Sequence, residues 1–204
     1  MSSTNDTSKN KAINVLMAGV GGQGVLLASE TLALAALAEG LEAKQSEVHG
    51  VAQRGGSVVS HVRFGSRVFS PLIRCGEVDL LYAGEKLEAL RYAHYLKPGG
   101  TVVLNDQEVR PIRYPGETEQ QYPEDVPGFL RGKGFRVIVA PALQTALDLG
   151  DKRCANIVLL GVLTQLLDLA PDSWTGAIRK RFPTKIHDLN LRALAAGRQF
   201  AVSA

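Results

Sequence analysis

Cysteine is the scarcest chemistry-bearing residue here: 204 residues contain only Cys75 and Cys154. An iron–sulfur cluster takes four thiolates and a structural zinc four Cys or His ligands, so this chain's two cysteines can supply neither. Far apart in sequence, they read as small semi-buried residues of a reducing compartment. A one-signed charge excess is missing as well. The 23 basic and 20 acidic residues leave a net charge of +3. The densest basic run, Arg179-Lys180-Arg181, reads as a solvated helix face, not a stripe that tracks a phosphate backbone, so no nucleic acid is expected. The apolar stretches, Ile157 to Leu163 among them, fall well short of the roughly 20 residues that span a bilayer, so no membrane association is expected. Met1 to Lys11 is polar and lacks a secretory apolar core, and residues 1–11 read as a disordered tail. The expectation is a soluble, cytoplasmic protein. With 45% hydrophobic and 21% charged residues, residues 12–204 read as one globular domain that buries about 70% of its unfolded surface.

Ile13 to Ala18 is an apolar run, broken only by Asn14, that ends in Gly19-Val20-Gly21-Gly22-Gln23-Gly24. Val25 to Glu39, rich in Leu and Ala, follows and stops at Gly40, which predicts strand, glycine loop and helix. This helix is apolar on nearly all sides, so it should pack on a sheet and on something else. A second strand is expected within Leu41 to Val48. Ser57 to Phe64 alternates, and with Gly65-Ser66 and Arg67 to Ser70 it predicts a β-hairpin that interrupts the α/β alternation. Asp79 to Ala83 reads as a core strand, Gly84 to Leu96 as an amphipathic helix, Lys97-Pro98-Gly99-Gly100 as a turn and Thr101 to Asn105 as a strand. Arg110 to Val126, with three prolines, reads as an irregular excursion. A short helix over Phe129 to Gly134 and a strand over Phe135 to Ala140 follow. Helices are then expected over Ala142–Leu149, Cys154–Leu169, Asp172–Phe182 and Thr184–Phe200, with Asp172 and Thr184 as candidate N-caps. The fold class is α/β: a mainly parallel, Rossmann-like sheet flanked by helices, with a β-hairpin insertion and a helical C-terminal part. The helices after Pro141 exceed what a small sheet needs, which predicts apolar surface for a partner.

Two loops carry the candidate site. Gly19, Gly21 and Gly24 stand at G-x-G-x-x-G spacing between strand and helix, with Gly22 and Gln23 inside it. Glycines allow positive φ and close ligand approach, while free N–H groups and the helix dipole attract anions. The same glycines equally serve close strand–helix packing. A dinucleotide would also need an acid about 20 residues on, and Glu42 and Glu47 are in range without a clean strand-end setting. Val25 follows Gly24 where a phosphate-binding lysine motif would place lysine, which argues against nucleotide hydrolysis. The second loop is Ser46-Glu47-Val48-His49-Gly50-Val51-Ala52-Gln53-Arg54-Gly55-Gly56-Ser57. Following a strand, it should open beside the first loop at the sheet's C-terminal edge. Arg54 could grip a carboxylate or phosphate with two hydrogen bonds, and Glu47 and His49 could exchange a proton. The plainer reading is a turn held by local bonds, or a docking surface. The candidate binding residues are Gly19, Gly21, Gly22, Gln23, Gly24, Glu47, His49, Gln53, Arg54, Gly55, Gly56 and Ser57. No catalytic residue and no metal ligand is expected.

Together, "GVGGQGVLLASETLA" and "SEVHGVAQRGGSVVSHVRFG" resemble the gamma-type domain of the 2-oxoacid:acceptor oxidoreductases, on the branch of the indolepyruvate ferredoxin oxidoreductase small (beta) subunits. Pyruvate-type members carry a similar GGQG loop but a different second loop. The resemblance continues through "LKPGGTVVLND" and "NIVLLGVL". It implies a subunit of an enzyme that oxidatively decarboxylates an aryl 2-oxoacid with coenzyme A to acyl-CoA and CO2, passing electrons to ferredoxin. It further implies that thiamine diphosphate, Mg2+ and [4Fe-4S] clusters reside in a large alpha subunit, and that the polar loops here flank the active site or help hold coenzyme A. Two alternatives stay open on the residues themselves. One is a free-standing NAD(P)- or flavin-dependent oxidoreductase, and the other an interaction module without chemistry.

Overall fold

In the computed structural model, which describes residues 12–49, 56–110 and 121–202, β1 (Ile13–Val20) lies in the middle of a six-stranded sheet. The expectation for residues 1–11 lies outside the described residues. After β1 come α1 (Val25–Ala38), β2 (Glu42–His49), β3 (Ser57–Gly65), β4 (Val78–Ala83), α2 (Lys86–Tyr92) and β5 (Leu96–Asn105). Then follow α3 (Val126–Gly132), β6 (Arg136–Ala140), α4 (Ala142–Asp148), α5 (Ala155–Leu163), α6 (Pro171–Arg181) and α7 (His187–Val202). The strand order is β2-β3-β1-β4-β5-β6. β1, β4, β5 and β6 are parallel, while β3 runs antiparallel to both β1 and β2.

β1 is apolar from Val15 to Ala18 because helices cover both of its faces. Its side chains alternate: Val15 and Met17 join α1, α5, α6 and α7 in one core, and Leu16 and Ala18 join α2 and α3 in the other. α1, apolar all round, packs between the sheet and α6, with Arg181 paired to Glu30. α5 is buried along its whole length against α1, α4 and α7. The apolar surplus expected after Pro141 is therefore spent inside the fold. Among the described residues, Leu147 is the one strongly exposed large hydrophobic of that region. No helix of the described residues is long and apolar enough to cross a membrane.

The hairpin partner differs from expectation. β3 pairs with β2 and β1, so both its edges are occupied and Arg67–Ser70 has no strand to join. Those residues instead form a strap whose backbone is satisfied by side chains. Val68 N donates to Glu42 Oε2 at 2.7 Å, and Arg63 Nη1 donates to the carbonyls of Ser70 and Leu72. His61 Nδ1 accepts from Ile73 N at 3.2 Å. Burial holds the His61 pKa below its usual 6.5, which keeps that nitrogen an acceptor at neutral pH.

Smaller corrections have local causes. The Lys97–Gly100 turn is a bulge inside β5, where Gly99 takes φ +71 and the pairing to β4 slips. The helix expected over Gly84–Leu96 shortens to α2 plus a 3-10 turn at Ala93–Tyr95. α3 starts earlier than expected because Asp125 caps it through Gly128 N. α5 ends at Leu163 in tightened turns, with Thr164 Oγ1 bonded back to Gly161 O. Asp172 is not a cap: Pro171 opens α6, and Glu39 takes the Ala170 N–H and the Ser173 hydroxyl. Thr184 begins a 3-10 turn ahead of α7.

Candidate functional site

The chain leaves β1 and β4 in opposite directions, so the crevice between their C-terminal ends is a topological switch point, where open α/β sheets collect ligands. Here the crevice is occupied by the side chain of Gln23. Its Oε1 accepts from Val20 N at 2.7 Å, and its Nε2 donates to Gly84 O at 3.0 Å and Gln107 Oε1 at 3.1 Å. Asn105 Nδ2 reaches the same two acceptors, and Asn105 Oδ1 takes the Ala142 N–H that opens α4. The ends of β1, β4 and β5 and the start of α4 are thus tied by two amides. Gly19 and Gly84 make room for the first of these. A Cβ at either position would lie within 2.9 Å of Gln23 Oε1.

The other loop glycines divide by role. Gly21 N donates to Gly56 O at 2.9 Å, so the first loop is bonded directly to the end of the second. Gly24, at φ +72, caps α1 without a side chain and receives Asn156 Nδ2 on its carbonyl. Gly22, at φ +99, faces open space. The N-terminus of α1 therefore opens beside Gly22 with its first-turn N–H groups uncapped by any side chain.

Of the second loop, Gln53, Arg54 and Gly55 lie outside the described residues, and His49 is placed by its backbone alone, paired with Val58. Glu47 is exposed and touches Gln45 Nε2 at 3.2 Å. Ser57 is turned inward. Its hydroxyl donates to the buried Glu88 carboxylate and lies 3.1 Å from Tyr92 Oη. Burial raises the Glu88 pKa. The neighbouring Glu85 caps α2 and accepts from Tyr122 Oη at 2.7 Å, which with burial pushes the Tyr122 phenol upward.

Beside Gly22 lies a cavity of about 180 Å³ lined by Gly22, Tyr82, Gln107, Lys152, Arg153 and Asn156 among others. Asn156 is 4% exposed, and its Oδ1 has no partner among the described residues. Arg153 forks onto Asp151, which holds that carboxyl at about 2. Lys152 is exposed. Lys152, an uncapped helix start and the open face of Gly22 suit an anionic group, while the Arg153 charge is offset by Asp151. No described nucleophile is paired with a base here. His61 lies under the strap, His94 is exposed in the 3-10 turn after α2, and His187 lies on Phe182 O. No group of three His, Cys, Asp or Glu residues that could hold a metal occurs among the described residues.

The geometry also bears on the dinucleotide alternative. A ribose-binding acid belongs at the end of the strand next to β1, but β3 stands between β1 and β2. Glu47, on β2, is therefore two strand spacings from β1, roughly 10 Å. Sequence reasoning missed Gly84, Asn105, Gln107, Asn156, Lys152 and Arg153. The available signals were the polar Asn105 closing an apolar strand and Asn156 at the head of an otherwise apolar helix.

Residues 14–200 match the family model described as pyruvate ferredoxin/flavodoxin oxidoreductase. The indolepyruvate oxidoreductase subunit IorB of Archaeoglobus fulgidus is 40% identical over 195 residues, covering 94% of this chain and 96% of that protein. The corresponding subunit of Thermococcus kodakarensis is 35% identical over 198 residues, covering 92% and 95%. Among solved structures, the gamma subunit of a keto/oxoacid ferredoxin oxidoreductase from Geobacter sulfurreducens superposes with a TM-score of 0.71 at 25% identity, covering 94% of this chain and 99% of that one.

Proposed function

The chain belongs to the pyruvate ferredoxin/flavodoxin oxidoreductase family, and on that premise we propose that it is the small subunit of a thiamine diphosphate-dependent indolepyruvate:ferredoxin oxidoreductase. The complex converts an aryl 2-oxoacid and coenzyme A into acyl-CoA and CO2, and the electrons pass to ferredoxin. The observation that carries this reading is the match to indolepyruvate oxidoreductase subunits over 92–94% of this chain and 95–96% of those proteins.

The described residues do not fit the family's cofactors. Magnesium diphosphate wants carboxylate or carbonyl oxygens around one ion. Glu85 and Glu88 are committed to Tyr122, Ser57 and the α2 backbone, and no acidic group among the described residues lines the Gly22 cavity. A [4Fe-4S] cluster wants four thiolates, and this chain has two cysteines, Cys75 exposed and Cys154 buried. On the family reading both cofactors are held by a large alpha subunit, and no chemical step is assigned to a residue of this chain. What the rim offers is anion binding. Gly22 and Lys152 suit a phosphate of coenzyme A, and the cavity admits a group of that size but not the whole molecule. The cytoplasm, where thiols stay reduced, is the fitting compartment.

The test is reconstitution with the thiamine- and iron–sulfur-containing alpha subunit, followed by coenzyme A-dependent reduction of a viologen dye. Turnover is expected only when both chains are present, with kcat/KM for indolepyruvate at least about 10-fold above that for pyruvate. Preference for pyruvate, or full turnover by the alpha subunit alone, would sink the assignment.

A further inference from the structure

We propose that the strap over residues 66–77 is a docking surface for the large subunit, and that it meets an apolar patch rimmed by carboxylates. This rests on the subunit assignment above.

The strap has an in–out–out–in pattern. Val68 and Ile73 are 3% and 4% exposed, whereas Phe69 and Leu72 are 80% and 55% exposed. Its conformation is set from beneath. Glu42 holds Val68 N, Arg63 holds the carbonyls of Ser70 and Leu72, Ser70 Oγ accepts from Leu72 N, and His61 holds Ile73 N. Arg63 is itself fixed by Asn14, and His61 by the edge of Tyr95. Phe69 is thus presented by a braced segment, and a preorganised aromatic loses little freedom on being covered.

Beside Phe69 lies a hollow of about 510 Å³ lined in part by Arg63, Arg67, Glu77, Asp79 and Lys97. The hollow's own charges are partly spent, because Lys97 pairs with Asp79 and Arg63 with Asn14 and two carbonyls. The cations left facing outward are Arg67, which lies 4.8 Å from the Phe69 ring centre, and the exposed Arg74. Two outward apolar side chains framed by two outward arginines, with the exposed Glu77 at the far end of the strap leaving a net positive charge, call for an apolar partner surface with acidic neighbours. The strap sits where β1, β4 and β5 begin, and the glycine rim sits where they end. The two are about one strand length apart, roughly 20–25 Å, so both can be engaged at once.

The experiment measures affinity for the large subunit with the full chain as wild type, F69S/L72S and R67E/R74E, each checked by circular dichroism. F69S/L72S is expected to bind about 100-fold more weakly. R67E/R74E should lose about 10-fold at low salt, with the deficit shrinking as salt rises. A second readout does not depend on the variants folding. Maleimide modification of the exposed Cys75 should slow at least about 10-fold in the complex, with buried Cys154 as the internal reference. Wild-type affinity in both variants, or Cys75 modified at the same rate free and bound, overturns the proposal. So does a wild-type chain that self-associates through Phe69, with the variants monomeric yet still binding the large subunit. A wild-type chain that forms no complex at all overturns the subunit assignment and this surface together.

Discussion

Gln23→Glu is expected to lower stability by roughly 2–4 kcal/mol at pH 8, although it changes one atom pair. The new carboxylate keeps the bond from Val20 N but turns an acceptor towards two acceptors, Gly84 O and Gln107 Oε1, which the amide now supplies. Facing those oxygens in a half-buried crevice, the introduced carboxyl has a raised pKa, so its protonated form, a donor again, is favoured in the fold. The sign follows from that shift. Stability is retained at acidic pH and lost as pH rises through the raised value. Thermal unfolding across pH 5 to 8 checks it, with a midpoint lowered by about 4–16 °C at the alkaline end and recovered towards the acidic end. A variant that matches wild type at pH 8 would show that Gln23 is not the bracket of the rim.

Gly197→Ala sets two effects of opposite sign against each other. Helix propensity alone predicts a gain of up to about 1 kcal/mol from replacing glycine in α7. The packing predicts a loss. α5 and α7 approach so closely through Gly161 and Gly197 that a Cβ on Gly197 would stand 1.8 Å from Val158 O and 3.0 Å from Gly161 Cα. Both obstacles are backbone, so one helix must move, and overpacking of this kind costs roughly 1–3 kcal/mol or more. Packing wins, and a net loss of about 1–2 kcal/mol is expected, read by urea unfolding at an unchanged m-value. A stabilised variant would mean the helices have room that this geometry denies. Gly176, where a Cβ would meet nothing, is the control and should show the propensity gain in full.

These two residues also mark where reading the sequence stops. β1, the glycine loop and α1 were legible because an apolar run, a glycine cluster and a Leu/Ala run each act locally. The hairpin over residues 57–70 was half legible. β3 alternates as expected, but its partners are chosen by the sheet, and Arg67–Ser70 lost to β2 and β1. Gln23 looked like a ligand contact because its bonding partners lie 61 and 84 residues away. Gly161 and Gly197 carried no signal in the sequence, since only the helix crossing gives them a purpose. The two candidate loops were expected side by side, and the Gly21–Gly56 bond ties the end of the second to the first. That adjacency could be argued in advance because a strand's C-terminal end and the following turns fall on one edge of a parallel sheet.

The G-x-G-x-x-G spacing invites one rival account, a dinucleotide enzyme complete in itself. Calorimetric titration of the isolated, folded chain with NADH, NADPH and FAD decides between them. With Gln23 filling the crevice and β3 displacing Glu47, no saturable binding is predicted below about 1 mM. One-to-one binding of any of the three at micromolar concentration, abolished by Gly22→Val, would contradict the account.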